Sequence, residues 1–292
     1  MARLSDRHPG GAPGPWFVDT RCIDCDAARH VAPGLIERNP VDGVSLFVRQ
    51  PETDEELEMA WRAVEVCPTR SVGHETLHRP PRPVFPQDLG DGVFRLGHNA
   101  LDSFGAHSYL VRRSDHGRPA NVMIDAPRWT REVYEPVAAL GGIQHVLLTH
   151  RDDVADAQRY AQHFAATVWI HADDRSAAPY ADRLIEGELP ADLFPGVVAF
   201  PVPGHTKGSV LYHVDGHVLF SGDSLAWDEG SARLMAFRDA CWYSWAAQTE
   251  SLARFAASPL RFDRLLCGHG WSHDLEADAF HRHLLDLVGR MR

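Results

Sequence analysis

The sequence predicts an α+β protein in two parts: a small cysteine-bearing N-terminal domain, then a larger layered domain with sheets inside and helices outside. Three observations predict it. The 292 residues exceed a typical domain of about 150. Residues 78–92, HRPPRPVFPQDLGDG, gather four prolines and two glycines. The stretch reads as a linker over 79–92, leaving one domain at 1–78 and another at 93–292. Beyond it, short apolar runs of strand length alternate with helical patterns.

In the first part, one helix is legible in ETDEELEMAWRAVEVC. Thr53 is a candidate N-cap, acids fill the first turn, and Leu57, Ala60, Trp61 and Val64 share a face. In the second part the expected strands are Gly92–Gly97, Ser108–Arg112, Asn121–Asp125, Val146–Thr149, Val168–His171, Val197–Val202, Val210–Val214, His217–Ser221 and Arg264–Cys267. Helices are expected over Thr130–Leu140, Asp152–Phe164, Trp242–Ala257 and Leu275–Met291. The last is the best marked, because Phe280, Leu284, Leu287, Val288 and Met291 recur at helical spacing.

The balance of charge narrows the function. A net charge of −11, with no basic stripe, argues against a nucleic-acid partner. No run approaches the roughly 18 apolar residues of a membrane span, and MARLSDRHPGGAPGPW lacks the apolar centre of a signal peptide. A cytoplasmic protein without a membrane partner is expected. Five cysteines, an odd number, then point to thiol or metal chemistry rather than a disulfide framework.

Ligand-type residues stand at the ends of the expected strands: THRDDVAD after Val146–Thr149, PGHTKGS after Val197–Val202, GDS after His217–Ser221 and GHGW after Arg264–Cys267. Strand ends hold side chains converging on one point, as a metal site requires. Each piece also has a plain structural reading. Thr149 can cap a helix whose dipole Asp152, Asp153 and Asp156 complement. His205 can be a turn residue, and Asp223 and His269 hydrogen-bonded core-edge groups. His171 in HADD and the aromatics Trp242, Tyr243 and Trp245 are weaker cleft candidates, and Cys267 reads as a buried inert thiol.

The order of these pieces resembles the metallo-β-lactamase fold superfamily over residues 93–292, which implies a four-layer αββα domain. The resemblance matches its early aspartate to Asp125 in VMIDAP, its GHTxGS histidine to His205, its next aspartate to Asp223 in FSGDS and its last histidine to His269 in CGHG. Its HxHxDH motif begins at His150. With two extra residues allowed, its aspartate falls on Asp156 and its last histidine on Ala157. The gapped register is favoured because Asp152 and Asp156, four apart, would share a helix face. The resemblance implies a two-metal site, usually zinc, whose hydroxide attacks a carbonyl or phosphoryl centre. Here one metal would keep His150, Asp152, His205 and Asp223, and the other Asp156, Asp223 and His269. The expectation is a mononuclear, carboxylate-rich site for zinc, or for the harder iron or manganese, with Asp156 orienting or deprotonating the water.

In the first part, Cys22 and Cys25 form CxxC, and Cys67 precedes Pro68. Residues 16–73 resemble a single-cluster bacterial-type ferredoxin domain, with Ala28 at the third cysteine position. Three readings stand open. Cys22, Cys25 and Cys67 hold an iron–sulfur cluster, either [3Fe-4S] or completed by Asp26 or His30; the domain is a relic without a cluster; or the three thiolates and a histidine bind zinc.

The expected function is metal-dependent hydrolysis of a small ester, thioester or lactone by a metal-bound hydroxide. Two alternatives stand beside it: an iron–sulfur-linked redox protein with a redox partner, and a degenerate binding or sensor protein that uses the cleft without chemistry.

Overall fold

The computed structural model describes residues 2–292. The chain divides into two compact units, one of residues up to Asn121 with Pro127–Gly142, the other of Val122–Ala126 with Ile143–Arg292.

The N-terminal part of the first unit is built on two antiparallel strand pairs and two helices. Trp16–Val18 pairs with Val72–His74, and Ile36–Arg38 with Ser45–Phe47. Helix α1 spans Ala27–Val31, and α2 spans Asp54–Val66. Thr53 caps α2 as expected and closes a capping box: its hydroxyl accepts from the Glu56 N–H at 3.2 Å, and the Glu56 carboxylate accepts in return. The buried face of α2 is Ala60, Trp61, Ala63 and Val66, so the stripe is rotated from the expected one and Leu57 is exposed. Trp61 meets Trp16 edge to face at 4.9 Å, which centres the core of this unit. Within the proline-rich stretch, Val84 and Phe85 are buried in that core. Gln87–Asp88 pairs with Val93–Arg95, which pairs in turn with Tyr109–Val111. Helix α3, Arg131–Ala139, belongs to this unit.

The second unit has a helix–sheet–sheet–helix order. Val122–Ile124, His145–Leu147, Thr167–His171 and Arg183–Ile185 run parallel, and α4, Ala157–Phe164, packs on the middle pair. The other sheet runs in the spatial order Ala191–Phe194, Val197–Pro201, Val210–Val214, Val218–Phe220, Arg264–Leu266 and His273–Asp274. The buried Tyr212 hydroxyl of the second sheet donates to the Leu148 carbonyl at the end of the first, at 2.8 Å. Helices α5, Trp245–Ala257, and α6, Ala277–Met291, cover the second sheet. Their apolar faces, Leu252 and Phe255 from α5 and Phe280, Leu284 and Leu287 from α6, enclose Phe200, Leu211, Leu219 and Leu265. No described helix is long and apolar enough to cross a membrane.

Two helix starts differ from expectation, and both differences shape the site. Helix α4 begins at Ala157, not Asp152. Ala155 takes a positive φ of 37° and the Arg151 N–H is drawn to Asp174 Oδ2 at 3.0 Å, so residues 151–156 form a turn. Asp152 and Asp156 therefore do not share a helix face. Helix α5 begins at Trp245, capped by the Ser244 hydroxyl. The Trp242, Tyr243 and Ser244 N–H groups donate to the carbonyls of Gly204 and His205 instead of starting a helical turn.

Candidate metal centre

The ends of Val122–Ile124 and His145–Leu147, which lie side by side in register, deliver Asp125 and Thr149. Asp125 Oδ1 accepts the Thr149 N–H at 2.8 Å and Asp125 Oδ2 accepts its hydroxyl at 2.9 Å. The hydroxyl proton is thereby committed. With Asp125 ionised, its oxygen, 3.0 Å from His150 Nδ1, accepts from that nitrogen, which gives His150 as the Nδ1–H tautomer and leaves the Nε2 lone pair for a cation. Burial holds the His150 pKa down to about 4, so the ring is neutral, the form that coordinates metals.

Around His150 the structure gathers two groups of potential ligands. His150, His205 and Asp223 bring their donor atoms within 4.8 Å of one another, and so do Asp153, Asp223 and His269. Asp223 belongs to both. Its Oδ2 lies 3.7 Å from the Nε2 of His150 and of His205, and Asp152 Oδ2 lies 3.9 and 3.5 Å from the same two atoms. His150 and Asp153 are almost wholly enclosed, whereas Asp152 is half-exposed at the mouth. Glycine is required where the ligand loops meet. A Cβ on Gly268 would lie 2.7 Å from Asp223 Oδ1 and 2.9 Å from Asp153 Oδ2, and one on Gly222, at φ +49°, 2.5 Å from the Thr149 hydroxyl.

Sequence reasoning named His150, Asp152, His205, Asp223 and His269, and the fold assembles all five here. Asp156 lies elsewhere. It stands at the start of α4, 3.9 Å from Arg159, and belongs to neither group. Ala157 is buried as the first residue of that helix. Asp153, and not Asp156, stands with Asp223 and His269, because α4 starts late and residues 151–156 form a turn. Asp174 was also missed. Fully buried, it accepts from the Arg151 N–H and, at 2.5 Å, from the Thr206 hydroxyl, joining the turn that bears His150 to the loop that bears His205. The acidic pair in HADD was its only local signal. His171 bonds Gly187 and caps the turn that follows, outside both groups, and the Cys267 thiol donates to the Gly270 carbonyl.

The donor set fits a cation. His150 Nε2, Asp153 Oδ2 and Asp223 Oδ1 are buried without a hydrogen-bond partner, a costly arrangement for a site that holds only protein. Burial, reinforced by Asp223 and Asp125, pushes Asp153 well above the usual carboxylate range, and burial pushes Asp125 up to about 8. The His205 ring, 3.5 Å away, holds Asp152 below it. A bound cation offsets the burial of so many carboxylates in one place.

In the first unit, Cys22, Cys25 and Cys67 are free thiols. Two of the sulfurs receive a backbone N–H: Cys22 from Ser45 at 3.5 Å and Cys67 from Ser71 at 3.1 Å. Burial pushes the Cys25 thiol up.

The comparisons with known proteins bear on the fold. A metallo-β-lactamase from Erythrobacter litoralis superposes with a TM-score of 0.52 at 19% identity, covering 70% of this chain and 95% of that one. The metallo-β-lactamase FIM-1 from Pseudomonas aeruginosa, solved in its mono-zinc form, gives 0.52 at 15% identity over 70% and 93%. The chain has the metallo-β-lactamase fold. Among curated sequences it is similar to proteins named hydroxyacylglutathione hydrolase, 33% identical over 170 residues in Fuscovulum blasticum and 37% over 111 residues in Xanthomonas campestris. The first match covers 56% of this chain and 62% of the relative, the second 38% and 40%. Residues 18–74 match the family described as the 4Fe-4S single cluster domain of Ferredoxin I.

Proposed function

We propose that the chain is a metal-dependent hydrolase of a small thioester, with related esters and lactones as further substrates. The observation that carries this is the pair of ligand groups hinged on Asp223, with buried donor atoms that nothing else satisfies. His150, Asp152, His205 and Asp223 would hold one ion, and Asp153, Asp223 and His269 a second. On this reading the site takes two ions, where the expectation from the sequence was a mononuclear site with Asp156 orienting or deprotonating the water. Imidazole and carboxylate donors suit zinc, iron or manganese. Bound there, such an ion supplies a Lewis acid for the substrate carbonyl and lowers the pKa of a water. The protein's part is orientation: Asp125 and Thr149 fix the His150 tautomer, and Asp174 fixes the spacing of the two histidine loops. Trp242, exposed beside the His205 ring at 6.3 Å, and the neighbouring Tyr243 offer an apolar surface for the acyl or thiol portion. The similarity to hydroxyacylglutathione hydrolases favours a thioester over other carbonyl substrates.

The test is metal content together with thiol release from a hydroxyacylglutathione, measured on the full chain loaded with zinc, iron or manganese in turn. About two ions per chain and a turnover that His205→Ala abolishes are expected. A protein that binds none of the three metals, or binds them and hydrolyses neither thioester nor lactone, overturns the reading.

A further inference from the structure

Helix α5 covers the second sheet with apolar residues, yet its first buried turn carries an amide. Gln248 is wholly enclosed. Packing alone is better served there by an apolar side chain, because a buried amide has four hydrogen-bonding positions to satisfy. Its Nε2 donates to the Ser224 carbonyl at 3.1 Å, which fixes the way the amide faces. Its Oε1 has no hydrogen-bond partner among the described residues. A side chain held in the core with one atom unsatisfied directs attention to the bond that the other atom makes. Ser224 follows the candidate ligand Asp223, and its own N–H donates to the Ser221 carbonyl, so the carbonyl that Gln248 holds is the exit of the tight turn carrying that carboxylate.

The stem of the same side chain meets the other ligand loop. Gly204 precedes His205, and a Cβ on it would stand 2.1 Å from the Gln248 Cβ and 2.6 Å from its Cα. The backbone beside His205 therefore rests directly on α5 at this residue. Further bonds press it there: the Tyr243 and Ser244 N–H groups donate to the Gly204 carbonyl at 3.2 and 3.0 Å, and the Ser251 hydroxyl donates to the Pro203 carbonyl at 3.2 Å. One side chain thus touches the chain neighbours of two candidate ligands, whose Nε2 and Oδ2 atoms lie 3.7 Å apart. We propose that Gln248 is a positioning residue, which sets the spacing of His205 and Asp223 by bearing the Gly204 backbone on its stem and the Ser224 carbonyl on its amide. It supplies no ligand atom and acts only through the two loops. The inference rests on the metal-dependent reading of the site.

The experiment is titration of the metal-free full chain with cobalt(II), read by visible absorption and by competition against a chelator, with thermal unfolding measured on the same samples. Gln248→Met keeps the length of the side chain and removes the donor. It is expected to weaken cobalt binding about tenfold or more and to alter the visible bands, which report the ligand arrangement. Gln248→Asn, whose amide is one methylene short of the Ser224 carbonyl, is the second variant and is expected to show the same loss. Phe255→Leu is the control: two turns along α5, where the ring meets Phe200 and Phe262, it should lower the unfolding midpoint and leave cobalt affinity and bands as in the wild type. A wild type that takes up no cobalt overturns the metal reading, and this inference with it. A wild type that binds cobalt, beside a folded Gln248→Met or Gln248→Asn that binds as tightly with the same bands, overturns this inference alone. So does a loss of affinity that Phe255→Leu reproduces.

Discussion

Replacing Thr149 by valine keeps the shape of the side chain and removes one oxygen. That oxygen makes two hydrogen bonds, 2.9 Å to Asp125 and 3.0 Å to His150, in a place without solvent. Asp125 keeps its bond from the Thr149 N–H at 2.8 Å, but its Oδ2 loses a donor and the His150 Nδ1–H loses its acceptor. Each stranded buried group costs about 1–3 kcal/mol, so a loss of roughly 2–6 kcal/mol in folding stability is expected. The effect on the metal differs in kind. Without the acceptor, nothing fixes which nitrogen of His150 is protonated, and loss of such a supporting contact costs about 10–100-fold in metal affinity. That corresponds to about 1.4–2.8 kcal/mol. Competition titration against a chromogenic chelator measures the affinity, and thermal unfolding measures the stability. Thr149→Ser restores the hydroxyl and should recover most of both. If Thr149→Val binds metal as tightly as the wild type, the relay from Asp125 through Thr149 to His150 does not orient the ligand.

Other perturbations separate the remaining assignments. Asp153→Asn should weaken the second ion by about tenfold or more while Asp156→Asn leaves both ions unchanged, as read by metal stoichiometry after dialysis. Gly268→Ala puts a methyl group against two ligand oxygens and should lower metal affinity about tenfold or more with the helical signal in circular dichroism retained. Acid should destabilise the protein through His98, which burial, reinforced by Arg128, holds down to about 4 against an ordinary value of about 6.5. Stability from keeping this ring neutral is fully present above pH 6.5 and is lost as pH falls toward 4, up to about 3 kcal/mol. Glu65, 3.2 Å away and pushed up by burial, works in the opposite sense and subtracts from that slope. The midpoint of urea unfolding should therefore fall between pH 6.5 and 4 in the wild type and change less in His98→Gln.

What was legible in the sequence was whatever depends on short-range chemistry. Thr53 with Glu56 three residues on is a local signal, and α2 begins where that signal places it. His205, Asp223 and His269 follow apolar strands directly, so their position at strand ends could be read from composition alone. Asp153 could not be read in the same way. Its role depends on where α4 starts, and that start is set by the draw of Asp174, more than twenty residues away, on the Arg151 N–H. Helical spacing favoured 152 and 156, whereas a long-range bond turned 152 and 153 into the site. The aromatic pair Trp242 and Tyr243 was misplaced into α5 for a similar reason, because carbonyls of the His205 loop capture their N–H groups. The buried stripe of α2 was off by a fraction of a turn, since apolar residues alone do not reveal which edge of a stripe faces the partner.

A single carboxylate, Asp223, stands between the two ligand groups, and this bears on how the centre would fill. Two ions that lean on one side chain cannot titrate independently. An ion held by one group would engage Asp223 and so change the donor set left for the other, and the influence would be equal in both directions. The affinity of each position is then a property of the pair, and a change to His269 should be felt in the occupancy of the position that His150 and His205 hold.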